Sequence, residues 1–554
     1  MATFGVGGGA TKATTSTRDL FVRNATGLVR SWATFDAFIY SFFSINLVTL
    51  GWWIFSFGPI TQGNGNLVTA IVISSILMLA EVVIYAGLIA VMPRAGGDYV
   101  WQTRVLGGGL GFVLAITGWV FTLWLWVPIY GNILAVEFIS PLCAILAATT
   151  GNHTFVTWAE NATSNNGYMV ASVVVAGFAA LVIAAGMKVY ARVQKFCFFG
   201  GMLGLLSMFV VLLVSDHNAF VSGFNHFATT VFGVKGNAYA QTVAAAAKAG
   251  FKPVPFTSAA LGPSMALIPL VLFFNLWPNW GATLYGEVRG AGDFRRNLRA
   301  MSLSVVATAI LALVSLALIA KVATSTFYND ANFAFWSSKA VLPVWPYPGL
   351  LAAFLTTNPI LQLWLVLSLS LWFWGWCGTV FLSSTRVIFA GAFDRVLPEW
   401  AAAVTPNGVP INALLAMVVP GLMLSVLYCY NIVGFRTATL DATLVIAITF
   451  LGSTVVAILL PWRQKRIYEG SPVARYKIAG VPLITVAGVI FLAFLVWNLW
   501  AWFTNAAYGV NNPISLWFIA ALYLIALAIY AGSRLYRSRH GINLSAIHQE
   551  IPIE

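Results

Sequence analysis

The chain has 554 residues, of which 60% are hydrophobic and 8% are charged, and its formal net charge is +13. Soluble domains carry about 25% charged residues, so this composition excludes a soluble globular protein. The positive charge does not indicate nucleic-acid binding, because that function needs basic residues clustered on a soluble face, whereas here they lie in short segments between apolar runs.

Apolar runs long enough to cross a bilayer recur along nearly the whole sequence. A helix needs about 20 apolar residues to span the hydrocarbon core, and the runs are separated by polar, glycine or proline residues. The sequence therefore predicts an all-α polytopic membrane protein with about 12 transmembrane helices. The predicted spans are 35–57, 66–92, 105–141, 168–187, 193–214, 265–286, 301–320, 360–390, 411–430, 440–461, 479–503 and 513–533.

The basic residues predict the orientation of these spans. If the N-terminus is cytoplasmic, 23 of the 29 Lys and Arg residues fall on the cytoplasmic side. Cytoplasmic loops of membrane proteins carry such an excess of Lys and Arg. The six that fall outside are Lys235, Lys248, Lys252, Lys321, Lys339 and Arg436. We therefore expect both termini in the cytoplasm.

This topology assigns each connecting segment to a side of the membrane. Residues 1–34 and 534–554 are cytoplasmic tails, and residues 462–478 are a cytoplasmic loop. The long segments 216–262 and 323–358 fall outside, where we expect short helices that cap the outer mouth. Asn152 and Asn161 begin N-glycosylation sequons in another outside loop.

Predicted helix 1 carries a group of polar or conformationally permissive positions within an apolar run. These are Asn46, Thr49 and Gly51, and Trp52 follows them. In hydrocarbon, irregular backbone is tolerated only where it lines a cavity or is buried in protein. The family resemblance described below implies a break in this helix, and it makes these four residues candidate substrate contacts, with packing against its neighbours as the alternative role of Trp52.

Two acidic residues lie well inside predicted spans. Glu81 is near the middle of helix 2, and Glu137 is in helix 3, where it could sit near the outer interface. Ionisable groups inside a membrane are energetically expensive, which makes them functional candidates. Glu81 is therefore a candidate proton carrier, with structural pairing to a hydroxyl or amide as the alternative.

Predicted helix 6 contains the string Asn275-Leu276-Trp277-Pro278-Asn279-Trp280-Gly281. Proline cannot donate a helical hydrogen bond and clashes with the preceding turn, so the string predicts a break at Pro278. The ends of half-helices bind ions and polar groups at the membrane midplane. Asn275, Trp277, Asn279 and Trp280 are therefore candidate substrate contacts, with a simple proline kink as the alternative.

Aromatic residues are dense on predicted helices 3 and 8. The side chains are Trp119, Trp124, Trp126 and Tyr130, and then Trp372, Phe373, Trp374 and Trp376. Most are expected in the lipid-facing and interfacial belt. One or two could face a cavity and stack on an apolar or cationic solute, and Trp376 is the candidate on helix 8.

Four cysteines, Cys143, Cys197, Cys377 and Cys429, lie in or beside apolar segments without the spacing of metal ligands. Cysteine in such surroundings usually behaves as a small hydrophobe. We predict no redox role for them, and the sequence indicates neither a metal site nor a cofactor.

Three strings of residues carry a family resemblance. The first is Met92-Pro93-Arg94-Ala95-Gly96-Gly97-Asp98-Tyr99. The second is Gly286-Glu287-Val288 followed by Arg296 to Met301. The third is Ser383-Ser384-Thr385-Arg386 followed by Asp394, Leu397-Pro398 and Pro410 to Ala413. They are similar to strings at the same places in the amino acid-polyamine-organocation transporter superfamily.

The resemblance implies a five-plus-five inverted-repeat fold. The first repeat is residues 35–215 and the second is residues 263–461, with two additional C-terminal helices in residues 479–533. Helices 1 and 6 are then broken at the midplane, and Trp277 or Trp280 takes the place of the family's aromatic gate. The family's Gly-Ser-Gly-Ile-Phe string aligns with Gly51 to Phe55, where Trp52 and Trp53 replace small residues.

The resemblance also implies secondary active transport of amino acids or related amines across the plasma membrane by alternating access. In proton-coupled relatives a helix 5 lysine takes the place of a sodium ion, and here that position falls near Gly201. The driving ion stays open between a proton on Glu81 and sodium bound by Thr379, Ser383 or Ser384 with helix 1 carbonyls. Uniport or exchange is a third alternative.

A transporter-like solute sensor or scaffold without turnover is the alternative function. A membrane enzyme is disfavoured because the sequence shows no nucleophile–base pair, metal cluster or phosphate loop. A channel is disfavoured because repeated pore loops and rings of charge are not visible. The predicted partners are a small-molecule substrate and the lipid bilayer, with H⁺ or Na⁺ as possible coupling ions and the oligomeric state left open.

Overall fold

The computed structural model describes residues 28, 30–62, 65–253, 255 and 261–550. Within these residues 12 helices are long and apolar enough to cross a membrane, which confirms the predicted number. Numbered helix 1 to helix 12 in chain order, they are Thr34–Thr61, Leu67–Val91, Gly108–Thr150, Asn165–Ala184, Met187–Val214, Leu261–Glu287, Phe294–Val322, Pro359–Phe393, Ile411–Cys429, Ile432–Arg463, Leu483–Thr504 and Pro513–Arg539.

Several helices begin before the predicted apolar runs. Helix 5 begins at Met187 and helix 7 at Phe294, six and seven residues ahead of their predicted starts at 193 and 301. The added turns contain basic residues such as Lys188 and Arg295. Charged residues at a membrane interface continue a helix without being apolar, so apolar runs alone place such ends too late.

The 12 spans define two faces of the molecule. We call the face on which helix 1 begins the N-terminal face and the opposite one the distal face. Because the number of spans is even, the chain after helix 12 returns to the N-terminal face. There the main-chain oxygen of Glu550 accepts a hydrogen bond from Arg104, which precedes helix 3.

Helices 1 and 6 are both interrupted near their middle. Helix 1 consists of Thr34–Ile45, a π turn Leu47–Gly51 and Trp52–Thr61. Helix 6 consists of Leu261–Ala266, Ile268–Asn275 and a 3₁₀ segment Trp280–Glu287. Interruptions in the first and the sixth span, with four spans between them, are the arrangement that a five-plus-five repeat requires.

Three other spans contain irregular turns. In helix 3, Thr117–Phe121 and Leu134–Ile139 are π turns and Thr122–Leu125 is a 3₁₀ turn. Helix 8 is made of Pro359–Trp376 and Thr379–Phe393, and helix 10 begins with the 3₁₀ segment Ile432–Leu440 before Asp441–Arg463.

Short elements connect the spans. On the distal face these are the helices Thr154–Ala162, His217–Phe232, Ala238–Lys248, Ser325–Trp336 and Pro348–Ala353 and the 3₁₀ turn Ala506–Tyr508. On the N-terminal face they are Asp98–Val105, Glu399–Ala402, Lys465–Glu469, Pro472–Arg475 and Leu544–Ile547, with strands β1, Lys477–Ile478, and β2, Val481–Pro482. The two strands are antiparallel, with Lys477 opposite Pro482.

The interrupted helix 1 lies in the centre of the bundle and the last span lies at its edge. Within the most apolar window of each span, 89% of helix 1 is buried but only 28% of helix 12. The exposed side chains of the peripheral spans are apolar, among them Leu181, Phe196 and Leu524. Such surfaces suit contact with lipid. All four cysteines are buried and unpaired.

Candidate functional site

A small cavity lies between the breaks of helices 1 and 6. Its empty volume is about 220 Å³. Its walls come from helices 1, 3, 6 and 8, through Ser44, Leu50, Trp126, Trp277, Trp280, Trp376, Thr379 and Val380. The structure thus brings together four of the residues predicted from sequence, Trp277, Trp280, Trp376 and Thr379. We call this space the central cavity.

The chain leaves the helical path of helix 1 at Asn46, which has φ 44° and ψ 87°. Asparagine tolerates this left-handed conformation because its short polar side chain can hydrogen-bond locally. Its Oδ1 accepts from the backbone N–H of Thr49 at 3.2 Å, and its Nδ2 donates to the main-chain oxygen of Trp372 in helix 8 at 3.2 Å. Asn46 and Thr49 therefore shape the break without lining the cavity.

The helix 6 break lies at Leu276 to Asn279, where the sequence predicted it. The indole N–H of Trp277 donates to the main-chain oxygen of Phe273 at 2.8 Å. The rings of Trp277 and Trp280 meet edge to face, with centroids 5.2 Å apart. The break is also tied to helix 1, because the Ser41 hydroxyl donates to the main-chain oxygen of Pro278 at 2.7 Å.

Two indole N–H groups at the cavity are buried without a hydrogen-bond partner among the described residues. They belong to Trp126 and Trp280. The ring of Trp126 also meets that of Trp376 edge to face at 5.5 Å. The cavity therefore offers two hydrogen-bond donors together with the π faces of four tryptophans.

The two candidate asparagines of helix 6 face helix 2 instead of the cavity. Asn275 hydrogen-bonds with the hydroxyl of Ser74, its Nδ2 donating at 3.0 Å. The side chain of Asn279 is fully buried and faces the hydroxyl of Tyr85. These residues hold the broken segment against helix 2.

A larger space opens from the cavity region toward the distal face. This distal vestibule has an empty volume of about 1120 Å³, and its lining includes Trp53, Phe57, Phe273, Trp336 and Arg436. Phe273 separates the two spaces, because it lines the vestibule and its ring stacks at 5.7 Å on Trp126, which lines the cavity. One aromatic layer therefore closes the cavity on the distal side.

Gly51 and the two tryptophans after it serve packing on the distal side. A Cβ at Gly51 would lie 3.1 Å from the Phe274 ring, so glycine permits the close approach of helices 1 and 6. The ring of Trp52 lies 5.7 Å from that of Tyr347, and the ring of Trp53 lies 4.9 Å from that of Trp336. Residues from the loop between helices 7 and 8 thus cover the distal half of helix 1, as expected for segment 323–358.

The motif glycines between helices 2 and 3 lie against helices 6 and 8 at the N-terminal face. Gly96 has φ 92°, its N–H donates to the main-chain oxygen of Thr283 at 2.9 Å, and a Cβ there would lie 2.5 Å from that of Ala390. A Cβ at Gly97 would meet the backbone of Ala282 at 3.0 Å. The first string therefore contacts helix 6 just before the second string and helix 8 between the parts of the third.

Two buried ion pairs close the same face. Arg386 of helix 8 donates to both carboxylate oxygens of Glu287 in helix 6, at 2.7 and 3.1 Å. Arg104 and Asp394 pair in the same bidentate way, with Nη2 to Oδ1 at 2.8 Å. Bidentate arginine–carboxylate pairs are strong and fix the relative orientation of both groups. The sequence analysis listed Arg386, Glu287 and Asp394 only as parts of motifs, and it did not single out Arg104.

The segment before helix 1 also binds the end of helix 6. The backbone N–H of Trp32 donates to the oxygen of Glu287 at 3.1 Å, and the N–H of Arg289 donates to the oxygen of Trp32 at 2.9 Å. Asp36 and Lys195 form an ion pair at 2.7 Å that joins helices 1 and 5. The N-terminal face is therefore closed by charges and backbone contacts, in contrast to the aromatic layer on the distal side.

Asp98, which follows the two glycines, is fully buried and accepts three hydrogen bonds. Its Oδ1 accepts from the hydroxyls of Tyr85 at 2.7 Å and Ser453 at 2.5 Å, and its Oδ2 accepts from the indole of Trp119 at 3.1 Å. These donors belong to helices 2, 10 and 3. Burial is the main cause that raises the pKa of Asp98 from 3.8 to about 6. Sequence analysis missed Asp98 because it read as a loop residue.

Glu81 is fully buried in helix 2, and neither of its carboxyl oxygens has a hydrogen-bond partner among the described residues. It lies near enough to Asp98 for the two carboxyl groups to interact electrostatically. Glu137 is also fully buried and accepts from the indole of Trp53 at 3.3 Å. The two acids therefore lie on different sides of the central cavity. Glu81 lies on helix 2, beyond helix 6 as seen from the cavity, and Glu137 lies under the segment between helices 7 and 8.

The two serine candidates for a sodium site on helix 8 are engaged in other contacts, whereas the Thr379 hydroxyl is buried without a hydrogen-bond partner among the described residues. The Tyr40 hydroxyl donates to the main-chain oxygen of Thr379 at 2.6 Å and lies 2.7 Å from the hydroxyl of Ser383, which donates to the oxygen of Trp280 at 3.0 Å. The Ser384 hydroxyl donates to the oxygen of Val380 within its own helix. A phenol thus occupies the space between helices 1 and 8.

The position aligned with the helix 5 lysine of proton-coupled relatives has no space for a long side chain. A Cβ at Gly201 would lie 2.8 Å from the ring of Trp372, whose indole donates to the oxygen of Gly201 at 2.9 Å.

The sequence analysis missed the cavity residues Ser44 and Leu50. It listed Trp126 only among many aromatic residues. Helical periodicity distinguishes one face of a span from another, but it does not tell which face meets a cavity.

Comparison with known proteins agrees with this architecture. A family model described as "Amino acid permease" matches residues 34–529, which include all 12 spans except the last turns of helix 12. No curated protein matches the chain. Because the match covers far more than half of the sequence, the chain belongs to the amino acid permease family of the amino acid-polyamine-organocation superfamily.

Proposed function

We propose that this permease is a secondary active transporter that carries amino acids or related amines across the plasma membrane by alternating access. The family is one of transporters and not of enzymes. The observation that carries the proposal is the central cavity, since it lies where two interrupted helices meet and it presents both indole donors and indole faces.

The chemistry of the cavity matches the two ends of a small amino acid. The free N–H groups of Trp126 and Trp280 suit a carboxylate, which only accepts hydrogen bonds. The faces of the tryptophans suit an ammonium group, because a cation within about 6 Å of an indole face is attracted by the ring. An amine that lacks a carboxylate interacts with the tryptophan faces alone.

The two closures support alternating access. The distal side is closed by one aromatic layer around Phe273, whereas the N-terminal face is closed by the ion pairs of Arg386 and Arg104. The described state is thus nearer to opening on the distal side. Ligand pockets are commonly about 300–1,000 Å³, whereas the space in the central cavity that is open to a water-sized molecule is about 10 Å³. The cavity must therefore expand when it admits a substrate.

The uptake experiment uses protein reconstituted in liposomes, with radiolabelled amino acids and polyamines and with imposed proton or sodium gradients. We expect gradient-dependent accumulation. Binding of a solute by folded protein without uptake into the vesicles would contradict the proposal.

Trp280→Phe tests the substrate contact, because it keeps an aromatic ring and removes the N–H donor. Hydrogen bonds to charged groups contribute about 1.5–3 kcal/mol. We therefore expect KM for an amino acid to rise about tenfold or more, with little change for an amine that has no carboxylate. Trp364→Phe is the matched control, since the indole of Trp364 donates to Ser207 at the exposed outside of helix 8. Equal changes for both substrates would contradict the assignment of the carboxylate to this donor.

A further inference from the structure

Asp98 joins three helices that the proposed transport cycle must move relative to each other. Tyr85, Trp119 and Ser453 reach it from helices 2, 3 and 10, and the amide of Gln102 donates to the Ser453 hydroxyl at 2.9 Å. All three side chains that contact the carboxylate donate to it, and hydrogen bonds to an ionised acceptor are the stronger ones, so the arrangement is strongest when Asp98 is ionised.

The same contacts lead to the central cavity. The ring of Trp119, which donates to Asp98, lies 4.5 Å from the ring of Trp280 in the cavity wall. Tyr85, the second donor, faces the buried amide of Asn279, the residue before Trp280. Asp98 is therefore connected through Trp119 to Trp280, which is a proposed substrate contact in the cavity wall.

The charge of Asp98 has no cationic partner among the described residues. The titratable groups that face it are Tyr85 and Glu81 on helix 2, whereas helices 3, 10 and 6 present neutral side chains. Arg104, on the same short helix, is paired with Asp394, and Arg386 is paired with Glu287. A pKa of about 6 places the titration of Asp98 within the physiological range.

We propose that Asp98 is the residue that binds the coupling proton, that Glu81 delivers the proton to it, and that protonation of Asp98 loosens the N-terminal closure. The inference rests on the proposed transport function. In the transfer, the O–H bond of the Glu81 carboxyl breaks and an O–H bond forms on Asp98, which becomes neutral while Glu81 takes the negative charge.

The loosening follows from the hydrogen bonds. A protonated carboxyl carries an O–H that needs an acceptor of its own, and the neutral group accepts hydrogen bonds more weakly than a carboxylate does. Protonation therefore weakens the links of helices 2, 3 and 10 to Asp98. Release of the proton from Asp98 at the opened N-terminal face restores the closure.

The test measures uptake into proteoliposomes as a function of pH, with an acid outside compartment, for wild type, Asp98→Asn and Ser453→Ala. We expect wild-type uptake to be stimulated at least fivefold by the gradient, and Asp98→Asn to lose that stimulation. Ser453→Ala removes a donor that favours the ionised form, so the midpoint of its pH profile should move to higher pH. A purely structural role for Asp98 would lower uptake without moving a midpoint. An unchanged pH midpoint in both variants would overturn the inference.

A second measurement separates this inference from the transport proposal. Because the pKa of Asp98 is raised in the folded protein, the native state binds this proton more tightly than the unfolded chain. Wild type should therefore gain thermal stability as the pH falls from about 7.5 to about 5.5. Asp98→Asn should show a smaller gain, because Asp98 no longer contributes to it while other buried acids such as Asp330 still do. If uptake fails but this difference in pH-dependent stability is found, the result supports the proton site and contradicts the transport proposal. If uptake is gradient-driven but Asp98→Asn keeps the full pH dependence of stability and uptake, the proton site falls.

Discussion

Arg386 and Glu287 lie 99 positions apart in the sequence and form a bidentate pair whose side chains are 0% and 2% exposed. Removing one member of a buried pair leaves the other charge unpaired in a medium that solvates it poorly. The pair therefore holds helices 6 and 8 together at the N-terminal face more firmly than a surface pair would.

We predict that Glu287→Gln lowers the free energy of unfolding by about 3–5 kcal/mol, because it leaves Arg386 buried without its counter-charge. Thermal unfolding of the detergent-solubilised protein measures the change. Glu469→Gln is the matched control, since Glu469 pairs with Lys465 at 3.8 Å and both side chains are exposed. An exposed pair contributes about 0–1 kcal/mol. Equal loss of stability in the two variants would contradict the structural role of the buried pair.

Single residues were predicted from the sequence with mixed accuracy. Trp277 and Trp280 were selected from the proline-containing string of helix 6 and Trp376 from the aromatic run of helix 8, and the structure places all three at the central cavity. Asp98 was missed because its partners come from three separate helices, and local sequence carries no signal for contacts as distant as the 355 positions to Ser453. The roles of these residues in transport remain predictions.

At the scale of elements, the loop between helices 2 and 3 packs closely against helices 6 and 8. The Gly96 N–H donates to the backbone of Thr283 in helix 6, and a Cβ at Gly96 would lie 2.5 Å from that of Ala390 in helix 8, which leaves no space for a side chain. The loop can fit there only because glycine permits both the positive φ and the close approach.

We predict that Gly96→Ala disrupts this contact and abolishes most uptake, with a lower melting temperature. Gly107→Ala is the control, since Gly107 has φ 104° but a Cβ there would meet nothing within 4 Å. Both substitutions strain the backbone, so the difference between them reports the clash with helix 8. Uptake assays and thermal unfolding are the measurements. Similar losses in the two variants would show that backbone strain, and not the contact, is responsible.

The number of helices was predicted more accurately than the residues at which helices are interrupted. The 12 spans follow from apolar runs, and the break in helix 6 follows from Pro278, because both signals are local. The break in helix 1 begins at Asn46, five residues before the glycine that the family string aligned with. Asparagine adopts a left-handed conformation only when partners such as the Trp372 carbonyl stabilise it, and those partners are not visible in the sequence.

At the scale of the whole molecule, the distribution of charge defines two unlike faces. The N-terminal face carries the buried ion pairs and most of the basic residues, whereas on the distal face Arg436 lines the vestibule and Lys321 donates to main-chain oxygens at the end of helix 5. Such an asymmetry is typical of a protein whose N-terminal face is cytoplasmic.

We predict that an epitope inserted next to Asn161, which is exposed on the distal face, binds antibody on intact cells. An epitope after residue 550 should bind only after the membrane is made permeable, because Glu550 lies on the N-terminal face. Immunofluorescence with and without detergent makes the comparison, and the C-terminal epitope serves as the internal control. The reverse pattern would invert the proposed orientation.

Because Cys143, Cys197, Cys377 and Cys429 are all buried, the native protein gives little background when a cysteine introduced elsewhere is labelled. A thiol reacts with a maleimide only as an accessible thiolate. The native protein in the described state therefore offers no readily reactive thiol among these four. A single reporter such as Thr437→Cys, at an exposed position that lines the vestibule, can then be labelled in the wild-type background. Its labelling rate would follow the opening and closing of the distal side in real time.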